Sequence, residues 1–359
     1  MKDYLENCGG SPGRAAHGKA LVASRLVYGV RDLLSTLFNA SSPDRVIFTK
    51  NATEAINLVL FGFLNPGDHV VVSSMEHNAV MRPLRELEKR GISLSIAQCD
   101  LHGFLDPLAV KAALTPRTRL ILLTHASNVT GTLLPIADVA AMTRESGIRF
   151  AVDAAQTAGV CPIDVQSVGV DFLTFTGHKS LGGPQGTGGL VLGPDVDLRP
   201  LVFGGTGSAS ESEFQPEFLP DKLESGTLNA VGVAGLGAAV SSLLNFGVEN
   251  VAQHERKLMH AFRNGLLELP HVIPYGSENP ENAVGVLSLN VGDLPCEEVG
   301  LQLERDYDIL TRTGLHCAPA AHHTLGTFGR GTVRFSVSRF TTEADISAAL
   351  DALAKIARR

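Results

Sequence analysis

The chain has 359 residues, of which 44% are hydrophobic and 19% charged, so it can bury a large core and at this length predicts two domains. Its formal net charge of −7 argues against general binding to nucleic acid, because neutralising phosphate groups needs a basic surface. The five cysteines have no paired spacing, which indicates a reducing compartment rather than a disulfide framework, and we expect a cytoplasmic location.

Neither a secretory signal nor a membrane span is predicted. The first residues are polar, without an apolar core segment. The one long uncharged run, residues 230–248, is interrupted by glycine, serine and asparagine and is interpreted as a buried helix.

Short β-branched runs alternate with helical stretches through the first half of the chain. The runs are residues 45–49, 69–73, 92–97, 119–124, 148–152, 171–175 and 189–192. This alternation predicts βαβ units, and therefore an α/β fold whose mostly parallel sheet of seven strands is covered by helices on both faces. We assign residues 1–244 to this large domain and expect the first 25 or so to pack on the smaller domain.

The second half of the chain has a different pattern. Residues 204–227 are rich in Gly, Ser, Pro and Glu and predict a long irregular loop, a kind of segment that is usually functional. After a helical region come a strand at 284–291, a helix at 296–306, strand-like runs at 309–311 and 332–337, and a closing helix at 342–357. These elements predict a smaller α+β domain over residues 245–359.

A carboxylate and a lysine follow two neighbouring strands. Asp153 ends the fifth apolar run, and Lys179 comes shortly after the sixth. At the carboxyl ends of parallel strands both face the same crevice. A lysine amine forms a Schiff base with an aldehyde cofactor, and a buried carboxylate keeps a pyridine nitrogen protonated. The pair therefore predicts pyridoxal 5'-phosphate, with a helix N-cap as the alternative role for Asp153.

Other side chains at the same predicted edge suit the rest of this cofactor. Thr53 lies at the start of a helix whose free N–H groups attract a phosphate, although a simple capping box with Thr53 or Asn51 as the cap is an equally good interpretation. Thr176 could reach the same phosphate. His77 could stack on the ring or be an ordinary surface histidine, and Asn128 or Gln156 could bond the phenolic oxygen, with a turn as the alternative for Asn128.

A second cluster lies near the C-terminus. Cys317 is in a loop beside Arg312, and a nearby cation lowers a thiol pKa and raises its thiolate fraction. The alternative is a small buried hydrophobe, the interpretation applied to the cysteines at 99, 161 and 296. Arg334 follows on a predicted strand and is either a surface residue or a bidentate clamp for a carboxylate. A metal site formed by His316, Cys317, His322 and His323 is disfavoured for lack of a second spaced ligand pair, and we predict none.

Seven segments are the most specific part of a family resemblance. They are Asn51-Ala52-Thr53-Glu54-Ala55, Ser74-Met75-Glu76-His77-Asn78, His125-Ala126-Ser127-Asn128-Val129-Thr130-Gly131-Thr132, Val152-Asp153-Ala154-Ala155-Gln156, Thr176-Gly177-His178-Lys179, Glu224-Ser225-Gly226-Thr227 and Arg312-Thr313-Gly314-Leu315-His316-Cys317-Ala318-Pro319. Together they resemble the cysteine desulfurases of the class V aminotransferase superfamily, which are pyridoxal-phosphate enzymes of fold type I. The resemblance extends from about Gly9 to the C-terminus.

The resemblance implies a role for each matching residue. The implied cofactor-binding residues are Ala52, Thr53, His77, Asn128, Asp153, Gln156, Thr176, His178, Lys179 and, from the neighbouring subunit, Thr227. The implied catalytic residues are Lys179, Cys317 and His77, and the implied substrate-binding residues are Asn128, Arg334 and Arg312. The implied protein is a homodimer with shared active sites that converts L-cysteine into L-alanine, leaves a persulfide on Cys317 and passes the sulfur to an acceptor protein.

One departure from the family pattern bears on this expectation. The family usually begins with a short strand and an Asp-Asn-Ala-Ala-Thr-like motif, whereas this sequence reaches Gly9-Gly10-Ser11-Pro12-Gly13-Arg14 almost at once. The motif-bearing segment, which helps to close the substrate pocket, is therefore expected to be missing. Three alternatives stay open: an aminotransferase, a selenocysteine lyase, and a non-catalytic truncated chain that acts as a sulfur-relay partner.

Overall fold

The structure is a computed structural model, and it describes residues 1–13 and 17–358. A sheet of seven strands forms the centre of the larger part of the protein. The strands are β1 (Val46–Thr49), β2 (His69–Ser73), β3 (Ser93–Ala97), β4 (Thr118–Thr124), β5 (Arg149–Asp153), β6 (Phe172–Thr176) and β7 (Gly188–Leu192). Their order is β1-β7-β6-β5-β4-β2-β3, and β7 alone runs antiparallel to its neighbours within the described chain. The predicted α/β fold with a mostly parallel sheet of seven strands is confirmed.

Helices cover both faces of this sheet. They are α1 (Gly18–Phe38), α2 (Ala52–Phe63), α3 (Asn78–Glu88), α4 (Pro107–Ala113), α5 (Ile136–Ser146), α6 (Val165–Val168) and α7 (Ala230–Phe246). Alternate strand residues enter two different cores: Val70 and Val72 of β2 pack with α2 and α3, whereas Val71 packs with α1, α5 and α7. The strands are thus apolar on both faces, which is why they read as continuous β-branched runs.

A second sheet of four strands forms the smaller part. Its elements are α8 (Val248–Leu267), β8 (Val272–Tyr275), β9 (Val286–Val291), α9 (Cys296–Tyr307), β10 (Arg312–Gly314), α10 (Pro319–Thr324), β11 (Thr332–Ser336) and α11 (Glu343–Ile356). The strand order is β10-β11-β9-β8, with all neighbours antiparallel. Strand β8 was not predicted, because it contains Pro274 and an exposed Ile273. Strand β10 begins three residues later than predicted, because Arg312–Gly314 has no apolar side chain.

The start of the chain packs differently from our expectation. Tyr4–Cys8 forms a short π-helical turn, and both end residues are buried in the core that contains α1 and α7. The first residues therefore contact the large domain rather than the smaller one, because the apolar side chains of Tyr4 and Cys8 fit between those two helices. Arg14, the last residue of the glycine-rich stretch, lies outside the described residues.

Residues 204–227, all of which the structure describes, contain no helix or strand, as the sequence predicts. Large apolar side chains here and just before are exposed, notably Phe203 (70%), Phe214 (85%) and Phe218 (53%). The segment is nevertheless anchored, since Lys222 and Glu224 are both buried.

Helix α7 lies largely in the core, with Val233, Leu236 and Val240 buried against α1. Of the helices in the described ranges, none is by itself long and apolar enough to cross a membrane. Helices α7 and α8 would meet the length and composition criteria together, but they meet at an angle of 78°.

Gly131 holds the loop after β4 against β9. Its φ is +73°, and a Cβ there would lie 2.2 Å from the carbonyl oxygen of Val286. We expect Gly131→Ala to lower the free energy of unfolding by about 3 kcal/mol through backbone strain and overpacking. Gly147→Ala is the control, because its φ is similarly +68° but no described atom lies within 4 Å of the new Cβ. It should cost about 1 kcal/mol. Equal losses in denaturant unfolding would show that the contact with β9 is unimportant.

Candidate active site

The carboxyl edge of the large sheet gathers the predicted residues. Asp153 is the last residue of β5 and Thr176 the last of β6. His77 follows β2 and Asn128 follows β4 in the loops above the same edge. This is the edge at which open α/β sheets bind ligands.

Asp153 is buried at the bottom of this crevice, with 5% exposure. Its Oδ1 accepts a hydrogen bond from the backbone N–H of Ala155 at 2.9 Å. Burial raises the pKa of the carboxyl group, while the Ala155 N–H and the charge of Lys179 act in the opposite direction. The chain turns after Asp153 instead of entering a helix, so the alternative role as an N-cap is wrong.

Lys179 lies in the turn that follows β6, exposed to the crevice. The protein atoms around the amine desolvate it and lower its pKa, and the positive charges of Arg334 and Arg312 add to this effect. The charge of Asp153 opposes the shift. A lysine with a lowered pKa is more often unprotonated and therefore a better nucleophile toward a carbonyl carbon.

His77 is a fixed, neutral ring beside Lys179. It is the N-cap of α3, and its Nδ1 accepts a hydrogen bond from the N–H of Ala79 at 2.9 Å. Burial, followed by the charges of Lys179 and Arg312, lowers its pKa to about 4. The ring is thus uncharged at neutral pH and half-buried rather than an ordinary surface histidine.

The N-terminus of α2 carries both a cap and free donors. Asn51 is the N-cap, since its Oδ1 accepts from the N–H of Glu54 at 3.0 Å, while the Glu54 carboxylate accepts from the N–H of Lys50 at 2.6 Å. Asn51 rather than Thr53 is therefore the cap, and because the Glu54 carboxylate bonds Lys50, the residue before the cap, the reciprocal bond of a capping box is not formed. Thr53 is exposed in the first turn, where helix N–H groups attract anions.

Gly188 brings the two hydroxyl-bearing segments together. It pairs with Thr49 of β1 on one side and with Thr176 of β6 on the other. A Cβ at Gly188 would lie 2.6 Å from the Cα of Asn51, so this close approach needs glycine. Thr176 bonds His178 through Oγ1 and Nδ1 at 3.0 Å. The N-terminus of α2 and the turn after β6 are thus neighbours, as a shared phosphate site needs.

The Cys317 loop is attached to the large domain beside His77. The N–H of Asn78 donates to the carbonyl oxygen of Cys317 at 2.8 Å, and Asn128 Nδ2 donates to the carbonyl oxygen of His316 at 2.7 Å. His316 and Cys317 have φ values of 51° and 59°, a left-handed conformation that non-glycine residues rarely adopt. Backbone strain of this kind is held in place by the contacts around it.

The thiol of Cys317 is exposed, and Arg312 Nη2 donates to its Sγ at 3.2 Å. The interpretation as a buried hydrophobe is therefore wrong for Cys317. The same interpretation holds for Cys296, which is buried. Cys99 and Cys161 are half-buried, and burial raises the thiol pKa of Cys99 to about 11 and that of Cys161 to about 12. Cys317 is the exposed thiol among the described cysteines.

Arg334 lies near enough to Lys179 for its charge to lower the pKa of the lysine. It lies on β11 directly across from Arg312 of β10, and its Nη1 donates to the carbonyl oxygen of Asn128 at 2.9 Å. Its Nε is buried and has no hydrogen-bond partner among the described residues. Burial and then the charge of Arg312 lower its pKa to about 10. Two adjacent guanidinium groups and a buried unpaired donor suit a carboxylate ligand.

Three predicted residues contribute less to the geometry of this chain. Gln156 is half-buried in the turn after Asp153, and Ala52 is buried as the first residue of α2. Thr227 is exposed and lines a cavity of about 200 Å³ together with Thr49 and Lys50.

The aminotransferase class-V family is the one whose sequence pattern matches this chain, over residues 1–349. The chain belongs to the aminotransferase class-V family. Among similar proteins of this family, a probable cysteine desulfurase of Methanothermobacter thermautotrophicus is 34% identical over 99% of this chain and 90% of its own length. The cysteine desulfurase of Serratia proteamaculans is 34% identical over 85% of this chain and 76% of its own length.

Solved structures agree with this family assignment. The apo cysteine desulfurase of Thermococcus onnurineus superposes with a TM-score of 0.93 at 28% identity, covering 100% of this chain and 90% of that one. The cysteine desulfurase CsdA of Escherichia coli superposes with a TM-score of 0.88 at 27% identity, covering 99% of this chain and 89% of that one. The expectation of a fold type I enzyme related to the cysteine desulfurases is confirmed.

Glu76 is a buried carboxylate in this class-V site that sequence reasoning missed. It is 0% exposed, and it accepts hydrogen bonds from the hydroxyl of Ser73 and, at 3.0 Å, from the N–H of Thr124. Burial raises its pKa to about 8, and the charge of Asp153 adds to the shift. Its place beside His77 in the Glu76-His77-Asn78 segment was the available signal, but its burial between β2 and β4 is a property of the packed sheet.

Replacing Glu76 with glutamine should flatten the alkaline loss of stability of the apo protein. The pKa of its carboxyl group rises from 4.5 to about 8 on folding, so stability is lost as the pH rises between these values. Glu76→Gln keeps the acceptor for Thr124 and cannot ionise. We expect the unfolding free energy at pH 9, relative to pH 5, to improve by about 4 kcal/mol over wild type. An identical pH dependence in both proteins would contradict the buried proton.

The alternative of a metal site near Cys317 gains no geometric support. The rings of His316 and His322 have centroids 5.6 Å apart, while His323 stacks on Phe328 at 3.8 Å. Within residues 1–13 and 17–358, no three His, Cys, Asp or Glu side chains are grouped to hold a metal ion.

Proposed function

We propose that this class-V family member is a pyridoxal-phosphate-dependent L-cysteine desulfurase that forms L-alanine and a persulfide on Cys317. The observation that carries the proposal is the attachment of the Cys317 loop to the large domain at Asn78, next to His77. The exposed thiol and Lys179, the proposed Schiff-base lysine, thus both lie near His77. Transamination alone has no use for such a thiol.

The residues present fit the cofactor. Bound pyridoxal phosphate supplies an aldehyde for a Schiff base and a protonated pyridine ring that accepts an electron pair. The N-terminus of α2 with Thr53, together with Thr176 and His178, binds the phosphate group. His77 would stack on the ring, because it is neutral and held by its own cap bond. Asp153 would hold the ring nitrogen, and a protonated pyridine would offset the cost of burying the charge of this carboxylate.

Asn128 and Gln156 are the donors for the phenolic oxygen. Asn128 Nδ2 already donates one hydrogen to His316 O, which leaves its second hydrogen for the cofactor. Asn128 also accepts from Arg334 through its backbone carbonyl. Cofactor, substrate clamp and nucleophile loop therefore share this one residue, and its amide can contact the substrate as well.

Arg334 and Arg312 bind the carboxylate of L-cysteine. When a carboxylate binds, the unpaired Nε of Arg334 gains a hydrogen-bond partner. This bond offsets part of the desolvation cost that lowers the pKa of Arg334. Arg312 reaches both the carboxylate and Cys317 Sγ, to which its Nη2 already donates.

The sulfur step needs two groups of this chain. Lys179 takes the proton from the substrate Cα and returns it to carbon. The Cys317 thiolate attacks the substrate sulfur, so a new S–S bond forms and the substrate C–S bond breaks, with its electron pair going to the substrate carbon. The Cys317 sulfur and the substrate sulfur are each oxidised formally by one electron and the substrate carbon is reduced by two, so L-cysteine with the enzyme thiol gives L-alanine with the enzyme persulfide. Balance therefore needs no further oxidant.

A homodimer with shared sites is part of the proposal. Phe203, Phe214 and Phe218 present exposed apolar surface on the segment that carries Thr227, and such a patch favours association. Thr227 of the partner subunit reaches the phosphate of each site. The exposed Cys317 leaves the persulfide accessible to a sulfur-acceptor protein, and the need for a reduced thiol fits a cytoplasmic location.

The test is a product analysis of the purified, cofactor-loaded protein with L-cysteine and a thiol reductant. The proposal expects L-alanine and sulfide in equal amounts without any keto acid. Alanine formation that needs a keto acid and releases no sulfide would make the protein an aminotransferase. Turnover of selenocysteine but not cysteine would make it a selenocysteine lyase. A protein that acquires no visible cofactor band would be a non-catalytic relay partner.

A further inference from the structure

A buried ion pair connects the first strand of the large sheet with the irregular segment before α7. Arg31 of α1 is 4% exposed and Glu224 is 9% exposed. The two side chains form a bidentate pair, with Nη1 to Oε1 at 2.8 Å. The guanidinium also lies 4.5 Å from the ring centroid of Phe48.

The pair occupies the open edge of β1. This strand bonds β7 on one side, and on its other side the carbonyl of Val46 accepts from Arg31 while the N–H of Phe48 donates to Glu224 at 2.6 Å. The two charged side chains therefore replace the neighbouring strand that would otherwise satisfy these backbone groups.

A buried ion pair adds little stability, because desolvation offsets most of its attraction. Its bidentate geometry instead fixes the relative position of the two chain segments that carry the charges. On one side, Phe48 lies three residues before Asn51, which caps the helix that holds the phosphate. On the other side, Glu224 lies three residues before Thr227. Three residues span at most about 10 Å, so neither Asn51 nor Thr227 can move far from the pair.

We propose that Arg31 and Glu224 are a positioning pair that couples the two cofactor sites of the dimer. In each subunit the pair fixes the position of α2, which binds the phosphate of that subunit's own site. It also fixes the position of Thr227, which completes the site of the partner subunit. The inference rests on the proposed function for the exchange of Thr227 between subunits. It adds the connection between the two sites, through residues that contact neither cofactor nor substrate.

The test uses heterodimers made by co-expression of two differently tagged copies. One copy carries Lys179→Ala, so the visible Schiff-base band reports the single site on the other copy. The reporting copy is the one that keeps Lys179. In the first heterodimer Glu224→Gln is placed in the Lys179→Ala copy, where it affects the reporting site through Thr227. In the second it is placed in the reporting copy, where it acts through β1 and α2. In both placements we expect the cofactor to dissociate about tenfold faster than from the parent heterodimer, the effect of one charge-assisted hydrogen bond.

Asp171→Asn is the matched control. Asp171 likewise pairs with an arginine, Arg149 at 2.7 Å, and accepts a strand N–H from Phe150 at 2.8 Å, but it precedes β6 at the amino end of that strand. It should leave cofactor dissociation unchanged in both placements. A reporting site that is insensitive to Glu224→Gln in the Lys179→Ala copy would overturn the coupling. A wild-type homodimer without the Schiff-base band would contradict the proposed function instead.

Two further measurements keep the inference testable if Glu224→Gln folds poorly. Arg31→Lys keeps the charge but loses the bidentate fork, and it should also speed cofactor loss in both placements. In the apo homodimer, either variant should increase protease cleavage within residues 204–227 several-fold, whereas Asp171→Asn should not. Unchanged cofactor loss together with unchanged cleavage in a folded Arg31→Lys protein would overturn the inference.

Discussion

Replacing Lys179 with alanine is expected to remove the cofactor Schiff base and to lower the rate of alanine formation from cysteine by about four orders of magnitude or more. In the proposed function Lys179 combines two tasks, because its amine would first bind the cofactor and then carry the proton at the substrate Cα. Its surroundings suit both tasks, since desolvation by the surrounding protein atoms and the charges of Arg334 and Arg312 lower its pKa while Asp153 lies close enough to oppose the shift.

The matched control for this lysine is Lys89→Ala. Lys89 is 74% exposed, is paired with Glu86 on the surface, and should be replaceable at no cost in turnover. Both variants are compared with wild type by visible absorbance and by alanine analysis after correction for the folded fraction. If Lys179→Ala retained activity within about tenfold of wild type, the assignment of the Schiff-base lysine would be wrong.

Cys317→Ala is expected to lower sulfide and alanine formation from cysteine by about a thousandfold, because the sulfur then has no acceptor on the enzyme. The cofactor band should form normally in this variant, since Cys317 contributes an exposed thiol and no cofactor contact. The loop should keep its place as well, because its anchors are backbone carbonyl groups that bond Asn78 and Asn128.

Cys161→Ala is the matched control for the thiol. Cys161 is half-buried, and its environment raises its thiol pKa to about 12, so it is a poor nucleophile. We expect wild-type turnover from this variant. Desulfuration by Cys317→Ala at the wild-type rate would falsify the assignment of Cys317 as the sulfur acceptor.

Much of the fold follows from local patterns in the sequence. The strands of the large sheet are buried on both faces, so each is a short apolar run, and polar residues just after a run lie at the carboxyl edge by topology alone. Asp153 and Lys179 were predicted as site residues because each follows such an apolar run. The strand β8 was missed because Pro274 and an exposed Ile273 interrupt its pattern.

What the sequence could not predict depends on contacts between distant residues. The burial of Glu76 arises from the packing of β2 against β4, and the single motif residue gives no sign of it. Arg31 and Glu224 are 193 residues apart in the chain, and neither belongs to a charge pattern of its own helix or loop. The left-handed backbone at His316 and Cys317 is held by large-domain donors that only the folded chain brings near.

The most direct measurement of the central claim is a single turnover followed by mass spectrometry. The cofactor-loaded protein is mixed with one equivalent of L-cysteine without reductant, trapped with an alkylating reagent and digested. The account predicts one equivalent of L-alanine and one added sulfur atom on the peptide that contains Cys317. Alanine formed with no sulfur on that peptide, or with the sulfur on another cysteine, would contradict it.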